Sequence, residues 1–222
     1  PQAPTPPPAA LAAAMSRAAP ASARRHVRPA GDSVFGKPFV DAAFSSNIFL
    51  WDTCFIACYA KYHPELLPIA NALDNFHALQ EADGYICREY DANGRPVWPK
   101  AHPVSINPPL LAFAELELFG QSGDLARLRR VYPALKRHFD YLAAYLVRED
   151  GLCFNDALGS GMDNIPRHPD GWQDDGQGIV LAPRDALPFD YRGLDPAWNV
   201  QGRAVDTSGQ VALSAEDLGR SP

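Results

Sequence analysis

The 222-residue sequence has few cysteines, Cys54, Cys58, Cys87 and Cys153, and none of them form a Cys-x-x-Cys pair. No histidine stands at zinc-ligand spacing from them, so no metal site or disulfide framework is expected. Cys54 and Cys58 are four residues apart, which on a helix puts them on one face, and they read as small buried side chains. Unpaired thiols favour a reducing, cytoplasmic setting. No apolar run approaches the roughly 20 residues that a membrane span needs. The apolar patch at 9–15 has no basic residue ahead of it, so it makes a poor secretory signal. The net charge of −6 comes with no Lys/Arg stripe, which argues against a nucleic-acid partner. There is no Gly-rich phosphate loop either, and no nucleotide or redox cofactor is implied.

What is present is 46% hydrophobic and 21% charged, the make-up of a globular chain with a sizeable core. Residues 1–31 are dominated by Pro and Ala, include Arg17, Arg24, Arg25 and Arg28, and hold no acid before Asp32. Offering almost nothing large to bury, this stretch is expected to be a disordered tail. Because the first residue is Pro1, the natural N-terminus is expected to be processed or missing. Residues 32–222 make up the folded part.

Helical spacing begins after Asn47. The run Ile48-Phe49-Leu50-Trp51-Asp52-Thr53-Cys54-Phe55-Ile56-Ala57-Cys58-Tyr59-Ala60 is apolar nearly all round, which predicts a buried helix. Pro64 is placed to open a second helix carrying Leu66, Ile69, Leu73, Phe76 and Leu79 at every third or fourth position, so the two form an αα-hairpin. A long polar loop follows at 83–108. A third helix starts at Pro108-Pro109, with Gly120 placed to end it, and a fourth starts at Asp124, a candidate N-cap, with Pro133 expected to kink or split it. A second long loop, 151–205, is rich in Gly, Pro, Asp and Trp, and 205–218 returns to helical spacing. Helical hairpins alternating with long loops, without strand-period segments, predict an all-α fold whose loops gather at one end. Long loops on a rigid scaffold are where a site is built.

Those loops hold Asp163, Asp174, Asp175, Glu89, Trp98, Trp172, Trp198, Tyr85, Tyr90, Asn107, Asn164 and Arg167, with Trp51 at a helix start. Carboxylates, amides and aromatic walls are what a sugar site uses. An inverting glycosidase needs one carboxylic acid for the departing oxygen and one carboxylate to activate water, roughly 6.5–9.5 Å apart. Asp174 and Asp175, beside glycine, read as solvated acids rather than metal ligands.

The stretch Gly159-Ser160-Gly161-Met162-Asp163-Asn164-Ile165-Pro166-Arg167 resembles the acid loop of glycoside hydrolase family 63 and the related mannosylglycerate hydrolases, a group similar also to trehalases. Further stretches resemble that family in the same order: Phe49-Leu50-Trp51-Asp52, Gly84-Tyr85-Ile86-Cys87-Arg88-Glu89-Tyr90, Ser105-Ile106-Asn107-Pro108-Pro109 and Val205-Asp206-Thr207-Ser208-Gly209-Gln210. Asn107 stands where the family has Gln, and Gly209 where it has Ala. The resemblance implies an (α/α)6 barrel of the six-hairpin glycosidase type, of which this chain would hold about half. It also implies hydrolysis of α-glycosidic bonds by inversion, with Asp163 as general acid. Phe49, Trp51, Asp52, Glu89, Tyr90, Asn107, Asn164 and Arg167 would be substrate contacts, Arg167 pairing with a substrate carboxylate or a loop aspartate. No cofactor is implied. Candidate substrates are α-glucosides and α-mannosyl- or α-glucosyl-glycerate.

The family's general base is a glutamate well downstream of the acid loop. After Asp163 the sequence offers Glu216 alone, inside a helical segment, so the base is expected to be missing from this chain. The alternative is a truncated, non-catalytic remnant that at most binds carbohydrate. Half a barrel leaves apolar helix faces uncovered, which predicts self-association.

Overall fold

The apolar run after Asn47 becomes the centre of the fold. A computed structural model describes residues 8–30, 35–42, 45–98, 100, 106–147, 173–174, 180–181 and 219. Among them are five helices: α1 (Pro8–Arg24), α2 (Leu50–Ala60), α3 (Ile69–Ala78), α4 (Leu111–Ser122) and α5 (Leu125–Leu146). The strands are two residues long and pair antiparallel: β1 (Val27–Arg28) with β2 (Phe39–Val40), β3 (Ile48–Phe49) with β4 (Glu89–Tyr90), and β5 (Gln173–Asp174) with β6 (Val180–Leu181). The described chain is therefore mainly helical, as expected, with short strand pairs that alternation in the sequence is too brief to show.

α2 packs against both α3 and α4, and α4 packs against α5, so neighbouring hairpins lie side by side. Leu50, Cys54, Ala57, Leu73, Phe76, Leu111, Leu118, Leu128, Leu135 and Leu142 are buried between them. Each large apolar side chain removed from water contributes about 1.5–3 kcal/mol, which outweighs the imperfect ends of these helices.

The segment expected to be a disordered tail carries α1 across residues 8–24. Alanine has the highest intrinsic helix propensity, and Pro8 falls in the first turn, where its missing N–H costs nothing. Low complexity here means alanine richness rather than polarity.

Two helix boundaries also differ from expectation, and α5 is not split at Pro133. α3 starts at Ile69 rather than after Pro64, because Pro68 disfavours helical backbone at Leu67; the N–H groups of Leu66 and Leu67 turn back to the His63 carbonyl at 3.0 and 2.9 Å. α4 runs through Gly120 and stops at Gly123, whose φ of 67° is left-handed and whose N–H bonds the Phe119 carbonyl at 2.7 Å. α5 is continuous through Pro133. Proline costs an interior helix about 3 kcal/mol, but Pro133 is exposed while Leu128, Val131, Leu135 and Leu142 bury apolar surface on both sides of it. Asp124 caps α5 as expected, its Oδ1 accepting the Arg127 N–H at 2.9 Å.

α2 is not buried all round. Phe55 and Tyr59, one turn apart, are 45% and 47% exposed. Together with Asp52, Ile56, His26 and Asp41 they line a cavity of about 400 Å³ between α2 and the end of α1.

Three helices are tied by a charged knot. The buried Glu115 of α4 accepts from Arg127 Nε at 2.7 Å and Nη2 at 2.8 Å, and its Oε1 lies 2.9 Å from His77 Nε2 of α3. Arg127 Nη1 also bonds Asp74 Oδ1 at 2.9 Å, and Lys37 pairs with the other Asp74 oxygen. Burial alone would raise the Glu115 carboxyl, but the bonds from His77 and Arg127 overcome it and hold it below its ordinary 4.5. For Asp74 too, burial pushes up while the Lys37 bond and the arginines win, and the net shift is downward.

Candidate functional site

α2 begins without a cap of its own. Its N-cap residue, Phe49, is extended (φ −111°, ψ 130°) and makes no side-chain cap bond. Two distant segments meet the orphan N–H groups there. The Leu50 N–H bonds the Arg88 carbonyl at 2.9 Å, and the Trp51 N–H bonds Asn107 Oδ1 at 3.3 Å. Through β3–β4, Phe49 stands opposite Glu89 and Ile48 opposite Tyr90. The stretches 49–52, 84–90 and 106–109 thus converge on one helix end.

Glu89 is half-buried and held at both oxygens. Oε1 accepts from Asn47 Nδ2 at 2.7 Å and Oε2 from the Trp98 indole Nε1 at 2.8 Å. The Arg88 guanidinium lies over the Trp98 ring, 3.9 Å from its centre. The Trp98 carbonyl accepts from the Tyr85 hydroxyl at 2.9 Å and the Cys87 thiol at 3.1 Å. Trp51 packs edge-on against Phe55, ring centres 4.8 Å apart.

The loop carrying Glu89 is fixed from below by Gly84. Its φ is 99°, and a Cβ placed there would collide with the Arg137 carbonyl of α5. His138, one residue on, is buried, with Nδ1 3.0 Å from the Gly84 carbonyl. That contact places the proton on Nδ1, leaving Nε2 without a partner among the described residues. Burial accordingly lowers the His138 pKa from 6.5 to about 4. Lys100 bonds Glu81 and Asp83 at 2.8 and 2.5 Å, and its bond to Asp83 lowers that carboxyl.

The residues expected to contact substrate divide into groups. Phe49, Trp51, Glu89 and Asn107 gather at the start of α2, although the Asn107 side-chain carbonyl is engaged in capping that helix. Asp52 lines the cavity toward α1. Tyr90 points into the core instead: it is 5% exposed, its hydroxyl accepts the Cys87 N–H at 3.0 Å, and its ring tilts against Phe76. Period-two alternation in the β3–β4 pair puts Tyr90 on the face opposite Glu89. Burial raises its hydroxyl above the usual tyrosine value. Asp163, Asn164 and Arg167 lie outside the described residues.

Asn47 was not singled out in the sequence, and Trp98 only as one loop aromatic among several, with no partner assigned. A lone Asn ahead of an apolar run and a Trp in a Pro-rich loop carry no spacing signal; only the fold brings them to Glu89. Among the described residues no group of three His, Cys, Asp or Glu side chains is arranged to hold a metal ion. No helix among them is long and apolar enough to cross a membrane.

No model of a known protein family matches the chain. An uncharacterised protein of Borreliella burgdorferi is 27% identical over 114 residues, which is 51% of this chain and 24% of that protein. Two solved structures from Thermus thermophilus align with the chain. An uncharacterised conserved protein superposes with a TM-score of 0.50 at 20% identity, over 68% of this chain and 40% of that one. A GH63 mannosylglycerate hydrolase in complex with Tris gives a TM-score of 0.48 at 17% identity, over 91% of this chain and 51% of that one. The chain thus spans about a quarter of its curated relative, 24%.

Proposed function

We propose that the whole protein of which these residues form part is a glycoside hydrolase that cleaves α-glycosidic bonds with inversion, on an (α/α)6 barrel. Asp163 is its general acid, protonating the departing oxygen. A second carboxylate activates water on the far face of the sugar. Trp51 and Glu89 form one wall of the sugar pocket, with Asn107 bracing the helix end on which Trp51 stands.

One observation carries this reading. Three stretches that resemble the family's pocket elements, widely separated in sequence, meet at the first turn of α2 through the Arg88 carbonyl and Asn107 Oδ1. Side-by-side hairpins, α2–α3 and α4–α5, with α2 packed on α4, are the arrangement that a ring of hairpins repeats. Glu89 and Trp51 supply the acceptor and the aromatic face that a pyranose needs.

The test uses the whole protein with α-glucosyl-glycerate, α-mannosyl-glycerate and α-linked glucose disaccharides, following the anomeric protons of the released sugar by NMR. The β-anomer is expected to form first, and Asp163→Asn is expected to lower kcat by about 10²–10⁴-fold. Release of the α-anomer first, or full activity in Asp163→Asn, overturns the proposal.

A further inference from the structure

We infer that Glu89, clamped by Trp98 and Asn47, is the group that selects a neutral, hydroxyl-bearing sugar ring over an anionic one, and that Trp98 is its positioning residue. The inference rests on the sugar-pocket reading above and names what the pocket discriminates.

A carboxylate has about four lone-pair positions. Among the described residues Glu89 spends one on the Asn47 amide at 2.7 Å and one on the Trp98 indole at 2.8 Å, so against them each oxygen keeps capacity for a further donor. Both donors are neutral. They fix the carboxylate without cancelling its charge, unlike the arginine that closes on Glu115. Glu89 is also half-buried rather than sealed in the core as Glu115 is.

The clamp itself cannot swing. Trp98 is pinned through its carbonyl by Tyr85 and Cys87, and its ring lies against Arg88. On the other side, the backbone of Glu89 is bound in register with Phe49, and its carbonyl accepts the Val97 N–H at 3.0 Å. Two acceptor oxygens at fixed positions suit a pair of neighbouring hydroxyls on one ring. A carboxylate or phosphate at the same place meets like charge and offers no proton.

The experiment has two arms on the whole protein. In the first, indole ¹⁵N–¹H spectra are recorded with labelled tryptophan, the Trp98 signal being identified by its loss in Trp98→Phe. It is expected well downfield, moving upfield in Glu89→Gln; no response to Glu89→Gln overturns the clamp regardless of any sugar. In the second, binding of methyl α-D-glucopyranoside and of its uronate analogue is measured by calorimetry. The neutral glycoside is expected to bind and the uronate to be rejected. Trp98→Phe should weaken the neutral glycoside roughly tenfold, and Glu89→Gln should reduce the discrimination between the two. General destabilisation would not change that selectivity. Binding of the neutral glycoside with selectivity unchanged in Glu89→Gln overturns this inference and leaves the hydrolase reading standing. Failure of the protein either to bind or to hydrolyse any glycoside overturns both.

Discussion

Glu115 and Glu89 are both carboxylates held by side chains from distant parts of the chain, and they differ in who holds them and in what they have left over. Glu115 is 1% exposed and is closed upon by an arginine fork and a histidine. Glu89 is half-buried and held by two neutral N–H groups. The first arrangement completes a charge inside the protein, where an unpaired ion is intolerable. The second fixes a charge at a set position without an opposite charge to close on it. Glu115 is closed by charged partners from two helices, whereas Glu89 is held by neutral ones at a helix start.

The sharpest way to break this contrast is to open the knot. Arg127→Met leaves the buried Glu115 with His77 as its one remaining partner among the described residues, and is expected to cost about 3 kcal/mol, read from the shift in denaturant midpoint. Adding Glu115→Leu to it should recover most of that loss, because a closed ion pair replaced by apolar groups of similar volume is close to neutral. A double variant as unstable as Arg127→Met alone would show that the charge was not the issue.

Next in size is the support beneath Glu89. Gly84→Ala forces a side chain into a positive-φ position and against the Arg137 carbonyl, and is expected to cost about 2–3 kcal/mol by the same measurement. If the loop shifts to relieve it, the Trp98 indole signal should move as well.

Acid separates the groups by pH. His138 stays neutral in the fold down to about pH 4, whereas in the unfolded chain it takes up a proton near 6.5. Its contribution is therefore complete above 6.5 and is lost as pH falls from there toward 4. Glu115, whose carboxyl is lowered, contributes fully above its ordinary 4.5, and that contribution is lost as pH falls below it. Denaturation midpoints should decline in that order. His138→Asn, which keeps a donor toward the Gly84 carbonyl, should flatten the decline between 6.5 and 4. An unchanged slope would mean that another group titrates there.

The smallest effect is expected at Glu89 itself. Glu89→Gln should change stability by less than about 1 kcal/mol, since an amide oxygen can still accept one of the two donors. A loss as large as that of Arg127→Met would erase the distinction drawn between the two glutamates.

Much of this arrangement is legible in the sequence. Apolar spacing locates α2 and the hairpins, and the Asp124 cap stands out, because these are local signals with a fixed period. α1 departs from expectation because alanine richness, unlike polarity, favours helix. The knot has a signal of its own: Glu115 sits in the otherwise apolar Leu111-Ala112-Phe113-Ala114-Glu115-Leu116 run, and a charge on a buried face requires a partner. Which partner, Arg127 or another, depends on how α4 and α5 pack. At the site, Phe49, Trp51, Glu89 and Asn107 come from motif resemblance. The clamp from Asn47 and Trp98, and the inward turn of Tyr90, depend on the β3–β4 register, which two-residue strands do not announce.

The absence of a side chain at Gly84 has a further consequence. With α5 seated against bare backbone there, any side chain at residue 84 must push the loop off the Arg137 carbonyl. Glu89, five residues on in the same loop, depends on that seat. Variation elsewhere in the loop can retune what the carboxylate meets, while variation at residue 84 removes the carboxylate's address altogether.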